Sequence, residues 1–90
     1  MDLQLAGKVA LVTGASAGLG RGIAEVLGEE GCRLAILARR GALLEALADG
    51  LAGRGERPLV VVEDVTAPGA AERARDAVLA RFGRCDILVN

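Results

Sequence analysis

Histidine, tryptophan and tyrosine are absent from this sequence, and the only aromatic residue is Phe82. Without histidine, and with just two well-separated cysteines, Cys32 and Cys85, the chain offers no plausible zinc ligand set. Lysine occurs once, at Lys8, so the other ten of the 11 basic residues are arginine. Twelve acidic residues offset them to a formal net charge of -1, which leaves no basic field to attract nucleic acid. No apolar run approaches the roughly 18 residues that a membrane-spanning helix needs. The opening Met1-Asp2-Leu3-Gln4 shows no basic segment leading into an apolar one, hence no secretory signal. A cytoplasmic protein with two reduced thiols is expected.

What the chain does have is enough apolar material for one small domain: 90 residues, of which 52% are hydrophobic. The core must be built from Val, Leu, Ile and Ala. Four short continuous apolar runs stand out, at Val9–Val12, Leu34–Ala38, Leu59–Val62 and Ile87–Val89. Runs apolar on both faces fit strands of a parallel sheet covered on two sides. Between them the spacing turns helical. Leu19, Ile23 and Leu27, with Val26 beside them, form one stripe ended by Gly31. Leu44, Leu47 and Leu51 form a second ended by Gly53. Ala70, Ala74, Ala77, Val78 and Phe82 form a third ended by Gly83. Thr66 is the expected N-cap of the third helix, with Pro68 in its first turn. The order β-α-β-α-β-α-β predicts an α/β fold, the N-terminal portion of a Rossmann-like, doubly wound parallel sheet built from right-handed crossovers.

The first strand runs directly into Thr13-Gly14-Ala15-Ser16-Ala17-Gly18-Leu19-Gly20, a Gly-x-x-x-Gly-x-Gly spacing at a strand-to-helix joint. Such a joint suits a phosphate. Gly14 permits a sharp turn where a side chain would clash, and Gly18 and Gly20 permit close approach of backbone to ligand and of helix to strand. The helix beginning there aims its free N–H groups and positive dipole end at the same spot. Three glycines alone are equally compatible with a tight turn; the buried strand before them and the amphipathic helix after them favour the phosphate. The loop lacks the Gly-Lys-Ser/Thr ending of an NTPase.

In dinucleotide folds an acidic residue at the end of the second strand accepts from the adenosine 2′-OH and favours NAD, whereas an arginine nearby accommodates the 2′-phosphate of NADP. Here the second strand ends in Ala38-Arg39-Arg40-Gly41, with no acidic residue between Glu30 and Glu45. A guanidinium can hold a phosphate through paired hydrogen bonds, so NADP(H) is expected over NAD(H). The alternative is a pair of solvated charges at a helix start, where positive charge is mildly unfavourable. Ser16, in the loop facing the same ribose, can add a hydrogen bond.

These residues resemble the short-chain dehydrogenase/reductase family over essentially the whole chain. Thr13-Gly14-x-x-x-Gly18-x-Gly20 matches its cofactor signature, Asp64-Val65 its adenine-contacting pair, and Asp86-Ile87-Leu88-Val89-Asn90 the run into its Asn-Asn-Ala-Gly motif. The resemblance implies that Gly14, Ser16, Gly18, Leu19 and Gly20 line the phosphates and ribose, that Arg39, with Arg40 beside it, reads the 2′-phosphate, that Asp64 and Val65 hold adenine, and that Asn90 lies beside the adenosine ribose. Read without the family, Asp64 is as compatible with capping a loop, and Leu19 is expected in the core while offering its N–H. The family's activity is hydride transfer between nicotinamide and a carbonyl or alcohol substrate, in proteins that are usually homo-oligomers.

The same resemblance implies a catalytic Ser, a Tyr-x-x-x-Lys pair and a later Asn. This chain has no Tyr, and Lys8 reads as a solvated residue before the first strand. The expectation is therefore a single cofactor-binding Rossmann portion over residues 1–90, cut at the fourth strand and inactive alone, with an apolar fourth strand left as an unpaired, aggregation-prone edge. A non-catalytic dinucleotide sensor and an inactive remnant are the competing readings. In the strand order 3-2-1-4, Cys32 and Cys85 stand two strand spacings apart, roughly 9–10 Å. That is too far for a disulfide, and both are expected to be partly buried structural residues.

Overall fold

The computed structural model describes residues 4–90; Met1, Asp2 and Leu3, part of the stretch read above for a signal, lie outside the described residues. The elements are β1 (Val9–Thr13), α1 (Gly18–Glu29), β2 (Arg33–Ala38), α2 (Gly41–Ala52), β3 (Leu59–Val62), α3 (Ala70–Phe82) and β4 (Ile87–Val89). The four strands are all parallel in the order β3-β2-β1-β4. This is the expected α/β Rossmann-like arrangement, with the strand order reversing direction at β1. No helix among the described residues is long and apolar enough to cross a membrane.

The period-two alternation of a strand divides the core in two. Ala10, Val12, Leu34, Ile36 and Ala38 face Ala24 of α1 and Leu44, Leu47, Ala48 and Leu51 of α2. Val9, Leu11, Ala35, Leu37 and Val61 face Ala74 and Val78 of α3. Helices on both faces explain why β1 and β2 read as continuous apolar runs. The edge strands do not share that burial: Val62 of β3 and Leu88 of β4 are 55% and 59% exposed. The run of four apolar residues at 59–62 therefore marked a strand correctly but overstated its covering.

Two helix expectations need correction. The stripe Leu19-Ile23-Leu27 is not the buried face of α1. Leu19 is 81% exposed, because the face turned to the sheet carries small residues, Ala24 above all, with Ile23 and Leu27 at its margins. Small residues allow close packing, and a large apolar residue one position away misled the periodicity. Thr66 does not cap α3 either. The helix begins later, at Ala70 after Gly69 at φ 78, so Pro68 also precedes its first turn. Thr66 instead closes a tight turn, donating from both its N–H (2.9 Å) and its hydroxyl (2.6 Å) to Asp64 Oδ1. The glycine ends hold: Gly83, at φ 79, donates to Leu79 and terminates α3, and Gly53 ends α2.

The N-terminal ends of the strands are closed by polar contacts. Asp86 accepts from the Val9 N–H at 2.8 Å and from Arg84 at 2.7 Å. Arg33 and Arg81 both approach Glu56 and both lie over the Phe82 ring, at 4.7 and 5.1 Å from its centroid. Cys32 and Cys85 are free thiols. Cys32 is half-buried, and desolvation, helped by Glu30 and Asp86, raises its pKa. Cys85 is exposed, contrary to expectation, because it precedes β4, the edge strand of the sheet among the described residues.

Candidate functional site

Everything that converges on the candidate site lies at the C-terminal ends of β1, β2 and β3. β1 passes into the glycine loop, where Gly14 and Gly18 adopt φ 63 and φ 59. A Cβ at either would meet open space; what reserves these positions for glycine is the left-handed backbone. Gly20 is the reverse case. Its backbone is ordinary helix, but a Cβ there would stand 2.3 Å from the Gly14 carbonyl oxygen and 2.8 Å from its carbon. The steric clash that the sequence suggested at Gly14 thus belongs to Gly20, which lets the first turn of α1 rest on the loop.

That first turn is left without side-chain partners. Ala17 occupies the N-cap position, no side chain caps the helix, and no acidic residue sits in its first turn. α2 begins in the same manner, after Arg40, with no capping side chain and no acid in its first turn. Two uncapped helix starts therefore face the same end of the sheet, where the exposed N–H groups and dipoles favour an anion.

Between them opens a cleft of about 390 Å³. Of the residues anticipated from sequence, Gly14, Ser16, Arg39, Arg40, Asp64 and Val65 line it. Gly18, Leu19 and Gly20 form the adjoining turn of α1. Asn90 lies elsewhere, in a neighbouring, mainly apolar groove of about 380 Å³ between α3 and β4, which Val65 also borders. Thr13 ties the two strand ends together through a 3.1 Å bond from its hydroxyl to the Val89 carbonyl.

The electrostatics single out two cations. Eight of the ten arginines form ion pairs: Arg21, Arg33, Arg54, Arg57, Arg73, Arg75, Arg81 and Arg84. Arg39 and Arg40 have no carboxylate within ion-pair distance among the described residues, and both are exposed at the cleft. Asp64 is near enough to feel the positive charge of Arg39, but its Oδ1 is committed to Thr66. Those two hydrogen bonds, with Arg39 a smaller cause, hold its carboxyl below the usual range. Asp64 is therefore a loop-closing residue whatever else it does.

One acidic residue of the cleft escaped the sequence reading. Glu63 lines the wall beside Arg39 and Arg40, and Arg73 of α3 holds it through two bonds of 2.9 and 2.8 Å. The signal available was position alone, since Glu63 directly follows the apolar run of β3; its partner ten residues later in a helix left none.

Residues 8–90 match the short chain dehydrogenase family. A 1,6-dihydroxycyclohexa-2,4-diene-1-carboxylate dehydrogenase of Pseudomonas putida is 43% identical over 90 residues, 100% of this chain and 33% of that protein. L-Sorbose reductase from Gluconobacter frateurii, whose crystal structure contains NADPH and L-sorbose, shares 40% identity with a TM-score of 0.95 over 100% of this chain and 35% of its own. A short-chain dehydrogenase/reductase from Burkholderia phymatum in complex with NAD shares 31% identity with a TM-score of 0.90, over 96% of this chain and 31% of its own. The same backbone thus accompanies either cofactor. The chain spans about a third of the length of the curated relatives it matches. With the glycine loop, the parallel sheet and these likenesses all in agreement, the chain belongs to the short-chain dehydrogenase family.

Proposed function

We propose that this chain holds the adenosine half of NADP(H) in an oxidoreductase that moves a hydride between the nicotinamide and a carbonyl or alcohol. In this reading the pyrophosphate rests on the uncapped start of α1, with Gly14, Gly18, Leu19 and Gly20 offering backbone. Arg39 and Arg40 take the 2′-phosphate, Ser16 the ribose, and the Asp64–Val65 turn the adenine. Asn90 borders the ribose from the neighbouring groove. When bound, the cofactor supplies the hydride chemistry; the residues of this chain bind and orient it.

The observation that carries the choice of NADP(H) is the pair of arginines without an ion-pair partner among the described residues, where the other eight are paired. Leaving two like charges unpaired beside a helix N-terminus is unfavourable unless an anion arrives to share them. The 90 residues contain no Tyr, and Lys8 lies at the opposite end of the sheet. Proton transfer to a substrate is therefore not assigned to any residue here, and the chain alone is expected to show no turnover.

Titration with NADPH and with NADH, followed by nicotinamide fluorescence or heat, tests the cofactor reading. Tighter binding of NADPH is expected, and equal or weaker binding than NADH sinks it. The reading frame beyond Asn90 separates enzyme from sensor: a Tyr-x-x-x-Lys pair with an upstream Ser supports catalysis, and their absence supports sensing.

A further inference from the structure

The register of the sheet sets an acidic residue against the cationic wall of the cleft. Val62 pairs with Ala38 in parallel register, and the Glu63 N–H continues the ladder with a 3.1 Å bond to the Ala38 carbonyl. Glu63 therefore stands at the level of Arg39, and both line the cleft. Its side chain is only 19% exposed, too enclosed to be dismissed as solvated. A carboxylate left free there would either pair with Arg39 and cancel its charge, or repel an incoming phosphate.

Neither happens, because Arg73 takes the carboxylate in a fork. Nε donates to Oε2 at 2.9 Å and Nη2 to Oε1 at 2.8 Å, an arrangement that fixes direction as well as charge. The hydrogen bond from Arg73 is also the main reason the Glu63 carboxyl lies below its usual range. A third bond, from Nη1 to the Pro68 carbonyl at 3.1 Å, ties the same guanidinium to the segment between Asp64 and α3. Gly69 makes room for it, since a Cβ at that position would stand 2.8 Å from Nη1. Strand register, glycine and helix position all serve one contact.

We propose that Arg73 is a positioning residue that sets cofactor choice: by holding Glu63 away from Arg39 it keeps the positive charge of the cleft available to a 2′-phosphate. The inference rests on the NADP(H) reading above and adds a residue outside the glycine loop and the strand-two arginines. The clamp also explains how a cleft meant for a phosphate tolerates a glutamate in its wall.

The test measures dissociation constants for NADPH and NADH in the product of the complete reading frame, for the parent, R73Q, E63Q and the double variant E63Q/R73Q. In R73Q the freed carboxylate is expected to weaken NADPH about tenfold and NADH less than about threefold, the difference being its repulsion of the extra phosphate. The double variant removes that carboxylate and is expected to restore NADPH to within about threefold of the parent, while E63Q alone keeps its preference. Equal weakening of both cofactors in R73Q, unrepaired in the double variant, would overturn the proposal and reduce the clamp to a support for the loop. Unchanged NADPH binding in R73Q would overturn it as well. A parent that prefers NADH refutes the NADP(H) reading by itself; a selective R73Q effect in that background would still uphold the clamp. Absence of binding to either cofactor refutes both.

Discussion

At the N-terminal ends of the strands, Arg33 grips Glu56 through two bonds, Arg81 approaches the same carboxylate, both guanidiniums lie over the Phe82 ring, and Arg84 holds Asp86. At the C-terminal ends, Arg39 and Arg40 face a cleft with no carboxylate within ion-pair distance of them among the described residues: Asp64 Oδ1 is bonded to Thr66, and the glutamate in the wall is occupied by Arg73. The residue type is the same at both ends, and only its partners differ. Exposed ion pairs contribute little to stability, so the paired end is not to be read as a strong clasp. The contrast is informative in the other direction. A chain that readily supplies acidic partners withholds them at the end where the starts of α1 and α2 lack both a side-chain cap and a first-turn acid. On the NADP(H) reading proposed above, charge without internal partners marks the end that takes an anion from outside.

The sharpest way to break the C-terminal end is through backbone. In Gly20→Ala the new methyl group would stand 2.3 Å from the Gly14 carbonyl oxygen, a contact that flexible side chains cannot relieve because the obstacle is main chain. Overpacking of this kind costs about 1–3 kcal/mol. Displacing the loop should also reduce dinucleotide affinity by more than about tenfold if the uncapped N–H groups supply charge-assisted bonds of about 1.5–3 kcal/mol. Denaturant melts and a cofactor titration check both parts. Normal affinity in a destabilised Gly20→Ala would separate the loop from the site.

Arg39→Ala and Arg33→Ala compare the two ends directly. Loss of Arg39 should weaken NADPH by about 10- to 100-fold, the range for hydrogen bonds to a charged group. It should leave NADH binding and the melting temperature nearly unchanged, since no internal contact is lost. Arg33→Ala should do the opposite, with a small fall in melting temperature from the lost Glu56 and Phe82 contacts and no change in cofactor preference. An Arg39→Ala variant that melts earlier with its NADPH affinity intact would reverse the assignment.

Much of this contrast was legible before any coordinates. The apolar runs located the strands, and the β-α alternation with right-handed crossovers brings the loop after β1 and the arginines after β2 to one end. Ser16, Arg39, Arg40, Asp64 and Val65 line one cleft there. What stayed hidden depends on side-chain direction and distant partners. Leu19 looked like core because it is large and on period, yet Gly20 and Ala24 form the close-packed face. Thr66 looked like a helix cap because it precedes an apolar stripe, yet the nearer acceptor was Asp64. The Glu63–Arg73 fork joins a strand end to the facing helix, and no local pattern announces such a pair. Asn90 borders a different groove, on the side of the sheet toward α3, which spacing does not encode.

Acid should act on both ends through stability, and Asp86 isolates the N-terminal share. Asp86 has its pKa lowered first by the hydrogen bond from Arg84 and then by that from the Val9 N–H. A folded pKa below the unfolded value of about 3.9 means that its contribution is complete above that value and is lost as pH falls through the folded one. The melting temperature is therefore expected to hold from neutral pH down to about 4 and to decline below it. In Asp86→Asn that part of the decline should vanish, at the cost of a lower plateau. Glu56 and Glu63, lowered mainly by Arg33 and Arg73, act with the same sign, so some acid sensitivity should survive the substitution. A profile in Asp86→Asn that merely shifts down without flattening would show that Asp86 is not what titrates.

The smallest effect comes from the glycine two residues beyond Gly20. Gly22 is also inside α1, but a Cβ there would meet nothing within 4 Å, and its backbone is not left-handed. Alanine at an open helical position restricts the unfolded chain without straining the folded one, which stabilises by roughly 0.4–1 kcal/mol. For a chain of this size that is a rise of about 2–8 °C in melting temperature. Gly20→Ala and Gly22→Ala thus make the same chemical change in the same helix with opposite expected signs, and propensity alone would give both the same sign. If both stabilise, the contact between α1 and the Gly14 carbonyl is looser than 2.3 Å implies. If both destabilise, the exposed face of α1 at Gly22 is covered by something beyond the 87 residues from 4 to 90 that the structure describes, and a Gly22→Ser variant would then lose stability in proportion to its added bulk.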